Sequence, residues 1–201
     1  ISIDDEVIFD ESMAKKLTNN INSSSSTVKT SYNIGDEGPG GGIIFYYSEE
    51  GFDVYQADGS IKRCNYFEVS KTEVANVSWC SQESGSDCCY INTNSGLGFG
   101  KMNTYKIING KHSGGTVSSS NCAAMACFEY STAQTAKGEW FLPSKDELNL
   151  LYKNLGKRIL ATATEGFHWS SSEGNPNKYA WHQRLSDGFK YDYYAKRVTF
   201  S

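Results

Sequence analysis

Ser144 and Glu147 stand three positions apart at the head of an apolar repeat, and that spacing constrains the chain more than any other feature. A Ser hydroxyl at a helix N-cap accepts one of the orphan N–H groups of the first turn. A Glu three residues on reaches back to the cap, so the two form a capping box. Pro143 stiffens the chain ahead of the cap. Leu148, Leu151, Tyr152 and Leu155 then recur at helical spacing, and Gly156 supplies a stop. The pattern predicts a short, sharply bounded amphipathic helix over 145–155. Such a helix builds scaffold and carries no catalytic grouping, so function has to be sought elsewhere.

The chain has 201 residues, a length suited to one compact domain or a domain with a tail. A hydrophobic fraction of 38% is enough for a core, and no apolar run reaches membrane-spanning length. The net charge of -4 argues against nucleic acid as a partner, because phosphate binding needs a basic surface. The first residue, Ile1, is not Met, which fits removal of a leader or of further domains. Six cysteines, Cys64, Cys80, Cys88, Cys89, Cys122 and Cys127, fit an oxidising, extracellular setting, with disulfides whose pairing stays open. Adjacent Cys88 and Cys89 are poorly placed to bond each other, so each looks to a distant partner. Zinc is the rival reading, but paired C-x-x-C units are lacking and His112, His168 and His182 are scattered. Free buried thiols are the other alternative.

Residues 1–31 read as a tail or linker. Asp4, Asp5 and Glu6 open it, a short helix fits Glu11–Leu17, and the run Ser23–Ser26 has linker composition. Part of this segment can dock on the domain, which spans 32–201. Gly35–Gly42 reads as a turn-forming loop before a strand at Ile43–Tyr47. A nucleotide-binding loop is excluded there, because no Lys-Ser/Thr pair follows and a strand comes next. Gly96–Met102 looks phosphate-friendly, but Met102 stands where Ser or Thr would be needed. Val54–Gln56 and Ile61–Val69 read as strands around the turn pair Asp58-Gly59. Helices are expected at Lys101–Ile108 and at Asn121–Ala133, the latter capped by Asn121. Strands return at Phe167–Ser171, Tyr179–Leu185 and Arg197–Phe200. Strands, then helices, then strands indicate an α+β fold of short antiparallel strands with two to three helices.

Three segments taken together resemble a known family: Tyr32–Tyr46 with its glycine loop, Trp140–Tyr152, and Trp169–Glu173 with Ala180, Trp181 and Gln183 downstream. Gly100, Lys101, Asn103 and Thr104 fit the same pattern. The chain resembles the bacterial surface-protein domain related to the C-terminal domain of the Legionella collagen-like adhesin. The resemblance implies a C-type-lectin-like fold, in the branch shared with formylglycine-generating enzymes. It also implies display on a bacterial or phage surface. Some members of that family are variable proteins of diversity-generating retroelements, whose mutagenesis targets Asn codons near the C-terminus.

The segment from Asn175 to Tyr194 has the composition of a recognition surface. Asn175, Asn177, Tyr179, His182, Arg184, Ser186, Asp187, Phe189, Tyr191, Asp192, Tyr193 and Tyr194 are the candidate ligand-binding residues. Tyr gives rigid contact area with a polar tip, and Asn and Ser add adaptable hydrogen bonds. On a strand, Trp181, Gln183 and Leu185 should face one side, with His182 and Arg184 exposed on the other. The bland alternative is an ordinary Tyr-rich surface.

The run Ser170–Ser172 lacks a nucleophile elbow, and His168, next to Trp169, points the opposite way on a strand. Those hydroxyls are expected to satisfy backbone groups in a buried turn, with Glu173 structural. No cofactor or metal is expected. Calcium is the alternative, through Asp187 and Asp192, although the Glu-Pro-Asn and Trp-Asn-Asp signatures of calcium-type lectins are absent. Formylglycine-generating chemistry depends on a C-terminal cysteine pair, and no Cys follows Cys127. The expected function is therefore non-catalytic binding of a protein or glycan outside the cell. A structural or assembly module of a larger surface protein or phage fibre is the alternative.

Overall fold

The computed structural model describes residues 1–3, 31–73, 77–80, 90–110, 118, 120–156, 166–174, 179–196 and 199–200. The expected helix at 11–17 and the serine run lie outside these, as does Arg197. Within them the fold is mixed α+β. The strands are β1 (Ser2–Ile3), β2 (Ile43–Tyr55), β3 (Ile61–Val69), β4 (Val77–Ser78), β5 (Phe167–Glu173), β6 (Tyr179–Arg184), β7 (Lys190–Ala195) and β8 (Thr199–Phe200). Helices α1 (Gly100–Asn109), α2 (Ala123–Glu129) and α3 (Lys145–Asn154) fall between β4 and β5. Three antiparallel groups result: β1-β3-β2, β4-β8 and β5-β6-β7.

The first hairpin is longer than its sequence implies. Ile43–Tyr47 and Val54–Tyr55 belong to one strand, β2, whose pairing with β3 slips between Tyr47 and Phe52, and Gln56 lies just past its end. Ser48–Gly51 is thus an irregularity inside a strand, and Gly51 takes φ +72° there. The Asp58-Gly59 turn forms as expected, with Gly59 at φ +85° and the Ser60 N–H donating to Asp58 Oδ1 at 2.9 Å. Residues 1–3 dock on the domain. Ile1 is buried among core residues and β1 adds an edge strand to β3.

Helix α3 has the expected cap. The Glu147 N–H donates to Ser144 Oγ at 3.3 Å, and the Ser144 N–H donates to Glu147 Oε2 at 2.7 Å. The second helix is shorter than expected, running from Ala123 to Glu129 with Cys122 rather than Asn121 at its N-cap. Asn121 Oδ1 instead accepts the Ser118 N–H at 2.8 Å.

Two apolar clusters form the core. In one, Phe45, Phe52, Phe67 and Phe141 pack with Leu148 and Leu151 of α3 and with Leu155 at its C-cap. In the other, Trp79, Ile107, Leu142 and Trp169 pack with the start of α2. Each such aromatic or aliphatic side chain contributes about 1.5–3 kcal/mol through burial. The indoles are also tied to backbone: Trp79 Nε1 donates to Ser170 O at 2.7 Å, and Trp169 Nε1 to Val77 O at 3.2 Å.

Both glycine-rich loops wrap buried carboxylates of the chain itself. Glu68 accepts from Gly40 N and Gly42 N, each at 2.8 Å. A Cβ on Gly38 would lie 2.4 Å from Glu68 Cδ. Glu147 Oε1 accepts from Gly98 N at 2.8 Å and from Gly100 N at 3.3 Å. The loops thus have the anion-cradling form that invited a phosphate reading, and an internal Glu fills each cradle.

Cys64 and Cys122 are buried, their thiols donating to Lys62 O at 3.9 Å and to Trp79 O at 3.5 Å, and Cys127 is a free thiol. Cys80 is buried, and Cys88 and Cys89 lie outside the described residues. No helix among the described residues is long and apolar enough to cross a membrane.

Candidate functional site

The sheet β5-β6-β7 presents the residues singled out in the C-terminal segment. Helix α3 and the buried serines hold it in place. Lys145 N donates to Ser172 Oγ at 3.0 Å, and Asn103 Nδ2 donates to Ser171 Oγ at 3.1 Å. Ser170 Oγ donates to Trp181 O at 3.0 Å. These hydroxyls serve backbone and neighbouring polar groups, as expected. Glu173 is structural too: it accepts from Ile91 N at 2.9 Å and Thr93 N at 3.3 Å and pairs with the fully buried ammonium of Lys196. That ammonium sits 4.4 Å from the centroid of the Trp79 ring.

The β6–β7 hairpin closes through Leu185–Phe189. Gly188 sits at φ +79° where a Cβ would lie 2.3 Å from the Tyr152 ring, and Tyr152 Oη donates to Asp187 O at 3.0 Å. The capped helix thereby positions the turn. Arg184 Nε donates to Asp187 Oδ1 at 3.0 Å. The Arg184 guanidinium hydrogen bond, then the Phe189 N–H, hold the Asp187 carboxyl down at about 2. The same guanidinium lies 5.4 Å from the Phe167 ring centroid and 5.7 Å from that of Phe189.

From the end of the turn into β7, alternate residues project to one face. Phe189, Tyr191 and Tyr193 are 51%, 42% and 60% exposed. Phe189 stacks near Tyr191 with centroids 6.1 Å apart. Tyr191 meets Tyr193 edge-on at 6.2 Å, and Tyr193 stacks on Tyr179 of β6 at 4.6 Å. The result is a continuous row of four rings ending in the Arg184–Asp187 clamp. Tyr179 and Arg184 are half-buried. Ser186 sits in the turn, half-buried, and Asp187 is exposed. Asp192 alternates with the ring-bearing positions of β7 and is half-buried.

His182 is a correction. Alternation placed it on the exposed face, but it is 1% exposed. The rings of Phe167, Trp169 and Tyr191 lie 4.7, 5.7 and 6.0 Å from it and cover it. Burial holds the imidazole neutral, with its pKa down to about 4, against a backbone hydrogen bond at Ala180 and the charge of Asp192. His182 therefore supports the row from beneath. Asn175 and Asn177 lie outside the described residues. Of Tyr194 the backbone is described, paired with Ala180.

Phe167 belongs to the face and was missed, although its alternation with Trp169 on one strand was available as a signal. Lys145 was missed as well, because it comes from α3. Its ammonium sits 4.7 Å over the ring of Trp181. Gln183 is buried, and its Nε2 donates to Gly188 O at 3.3 Å and to Asn149 Oδ1 at 3.4 Å.

Among the described residues no group of three or more His, Cys, Asp or Glu side chains is placed to hold a metal ion. The chemistry open to the face is stacking, cation–π contact and hydrogen bonding from phenol hydroxyls. The chain matches no protein-family model, no curated protein and no solved structure.

Proposed function

We propose that this chain is a non-catalytic ligand-binding domain displayed outside the cell. It has a C-type-lectin-like fold and recognises a protein or glycan through the β6–β7 face. The observation that carries this reading is the row Phe189, Tyr191 and Tyr193, left largely exposed on a sheet whose other side is packed. Exposed aromatic clusters cost solubility and are a mark of recognition surfaces. Rigid Tyr rings lose little conformational entropy on contact, so they suit both protein and sugar surfaces. Six cysteines in a polar chain support an oxidising location. The same segment is where the family resemblance places retroelement diversification. A near-copy of its coding region, differing mainly at adenines beside a reverse transcriptase gene, would support that part of the reading.

The test is a screen of the labelled domain against glycan arrays and immobilised surface proteins, with the Tyr191→Ser/Tyr193→Ser variant run in parallel. Targets lost with the variant support the reading. Absence of any target that distinguishes the two proteins counts against it.

One observation favours an assembly module as a second reading. Among the described residues β7 pairs with β6 on one side and with no strand on the other. Such an edge can pair with a second copy. A molar mass that rises with concentration, and falls back with the same double variant, would favour assembly.

A further inference from the structure

A groove of about 550 Å³ runs between the segment 90–92 and the C-terminal half of α1. Small-molecule sites occupy roughly 300–1,000 Å³. No residue of β6 or β7 lines this groove. Tyr90 and Tyr105 do, and they are 57% and 44% exposed. Ile91 closes its base against the end of the helix, where a Cβ on Gly110 would lie 2.5 Å from Ile91 Cδ1.

Asn92 takes φ +61°, alone among the described non-glycine residues in the left-handed region. Such backbone costs free energy and persists only where its surroundings hold it. Tyr90 Oη donates to Asn92 Oδ1 at 2.9 Å, and Lys106 Nζ donates to Asn92 O at 3.0 Å. The flanking N–H groups of Ile91 and Thr93 donate to the Glu173 carboxylate. One wall of the groove is therefore fixed before a ligand arrives, which lowers the cost of binding. After these bonds Tyr90 Oη keeps acceptor capacity and Asn92 Nδ2 remains a donor. Asn109 Nδ2 donates to Tyr105 O at 2.9 Å, and Asn109 Oδ1 is an acceptor. No Asp or Glu among the described residues lines the groove. Its one ammonium, Lys106, lies in the last turn of α1, where the partial negative charge of the helix end offsets it.

We propose that this groove binds a neutral sugar, as a single pyranose or as the end of a glycan chain. Pyranose hydroxyls both donate and accept, and the two carboxamides and two phenols meet both needs. The C–H face of the ring stacks on an exposed phenol ring. The site is additional to the aromatic row of β7 and does not depend on that row binding anything.

The probes are the methyl glycosides of glucose, galactose and mannose, with glucuronate as the charged comparison. Each is titrated into the intact domain and followed by the NMR signals of the Asn92 and Asn109 side-chain amides. At least one glycoside is expected to saturate these signals in the millimolar range, and glucuronate to bind no more tightly than that glycoside. Tyr105→Ala removes an exposed stacking wall and should weaken binding about three- to tenfold. Tyr90→Phe removes the hydroxyl that holds Asn92 and should weaken it by a similar about three- to tenfold. Tyr191→Ser/Tyr193→Ser should leave the Kd at these signals unchanged, which separates this site from the β7 face. No saturation by any glycoside, tighter binding of glucuronate, an unchanged Kd for Tyr105→Ala, or a loss with the β7 double variant overturns the proposal.

Discussion

The carboxylate of Glu147 accepts the N–H of Gly98 at 2.8 Å across 49 positions of sequence. One side chain thus closes the capping box of α3 and anchors the loop that leads into α1. Burial raises its pKa to about 7, against the Ser144, Gly100 and Gly98 hydrogen bonds that favour the charged form.

That shift has a sign. Between 4.5, its ordinary value, and about 7 the folded chain holds a proton that the unfolded chain has released. The contribution is full below the ordinary value and is lost as pH rises through the folded one. Glu147→Gln should therefore gain on the parent in unfolding midpoint as pH goes from about 5 to about 8. Parallel curves for the two proteins would contradict the assignment.

His182 acts in the opposite direction. Its pKa falls from 6.5 to about 4, so the unfolded chain is protonated where the folded chain is not. Its stability is present above the ordinary value and lost as pH falls toward the folded one. His182→Phe should gain on the parent on acidification from about pH 7 to about pH 4. A gain on raising the pH instead would place His182 in a charged state.

The ion pair of Lys196 and Glu173 is buried on both sides. Lys196→Met leaves the Glu173 carboxylate with only its backbone donors and should cost about 3–5 kcal/mol in urea unfolding. A loss under about 1 kcal/mol would show that the pair is solvated.

The loop glycines should differ in tolerance. A Cβ on Gly100 would lie 2.3 Å from Glu147 Oε2 and 2.8 Å from the Phe141 ring, whereas one on Gly96 meets Phe99 at an ordinary 3.4 Å. Gly100→Ala should cost about 1–3 kcal/mol, and Gly96→Ala no more than about 0.5 kcal/mol. Equal costs would mean that the carboxylate moves aside freely.

What was legible in the residues was local. The Ser144–Glu147 box is a four-residue pattern, and it formed as read. The Asp58-Gly59 turn was equally near in sequence, whereas the partners of the Ser170–Ser172 hydroxyls, among them Asn103 and Lys145, lie far along the chain. The glycine loops looked like anion cradles, but nothing near them announced that Glu68 and Glu147 are the anions, because each carboxylate comes from another element. Alternation assigned His182 to a face without saying what covers that face, and the cover comes from Phe167 and Trp169 on β5. Lys190–Ala195 was read for its composition and not as a strand, since Tyr and Asp alternate there without a strong apolar period.

The central claim is that the exposed row of β7 makes the contacts. Its most direct test is the Kd for an identified protein or glycan target, measured with Tyr191→Ser/Tyr193→Ser beside Lys190→Ser as control. Two aromatic anchors, each contributing about 2 kcal/mol, predict a loss of roughly a thousandfold for the double variant and little change for the control. An unchanged Kd for the double variant would contradict the account.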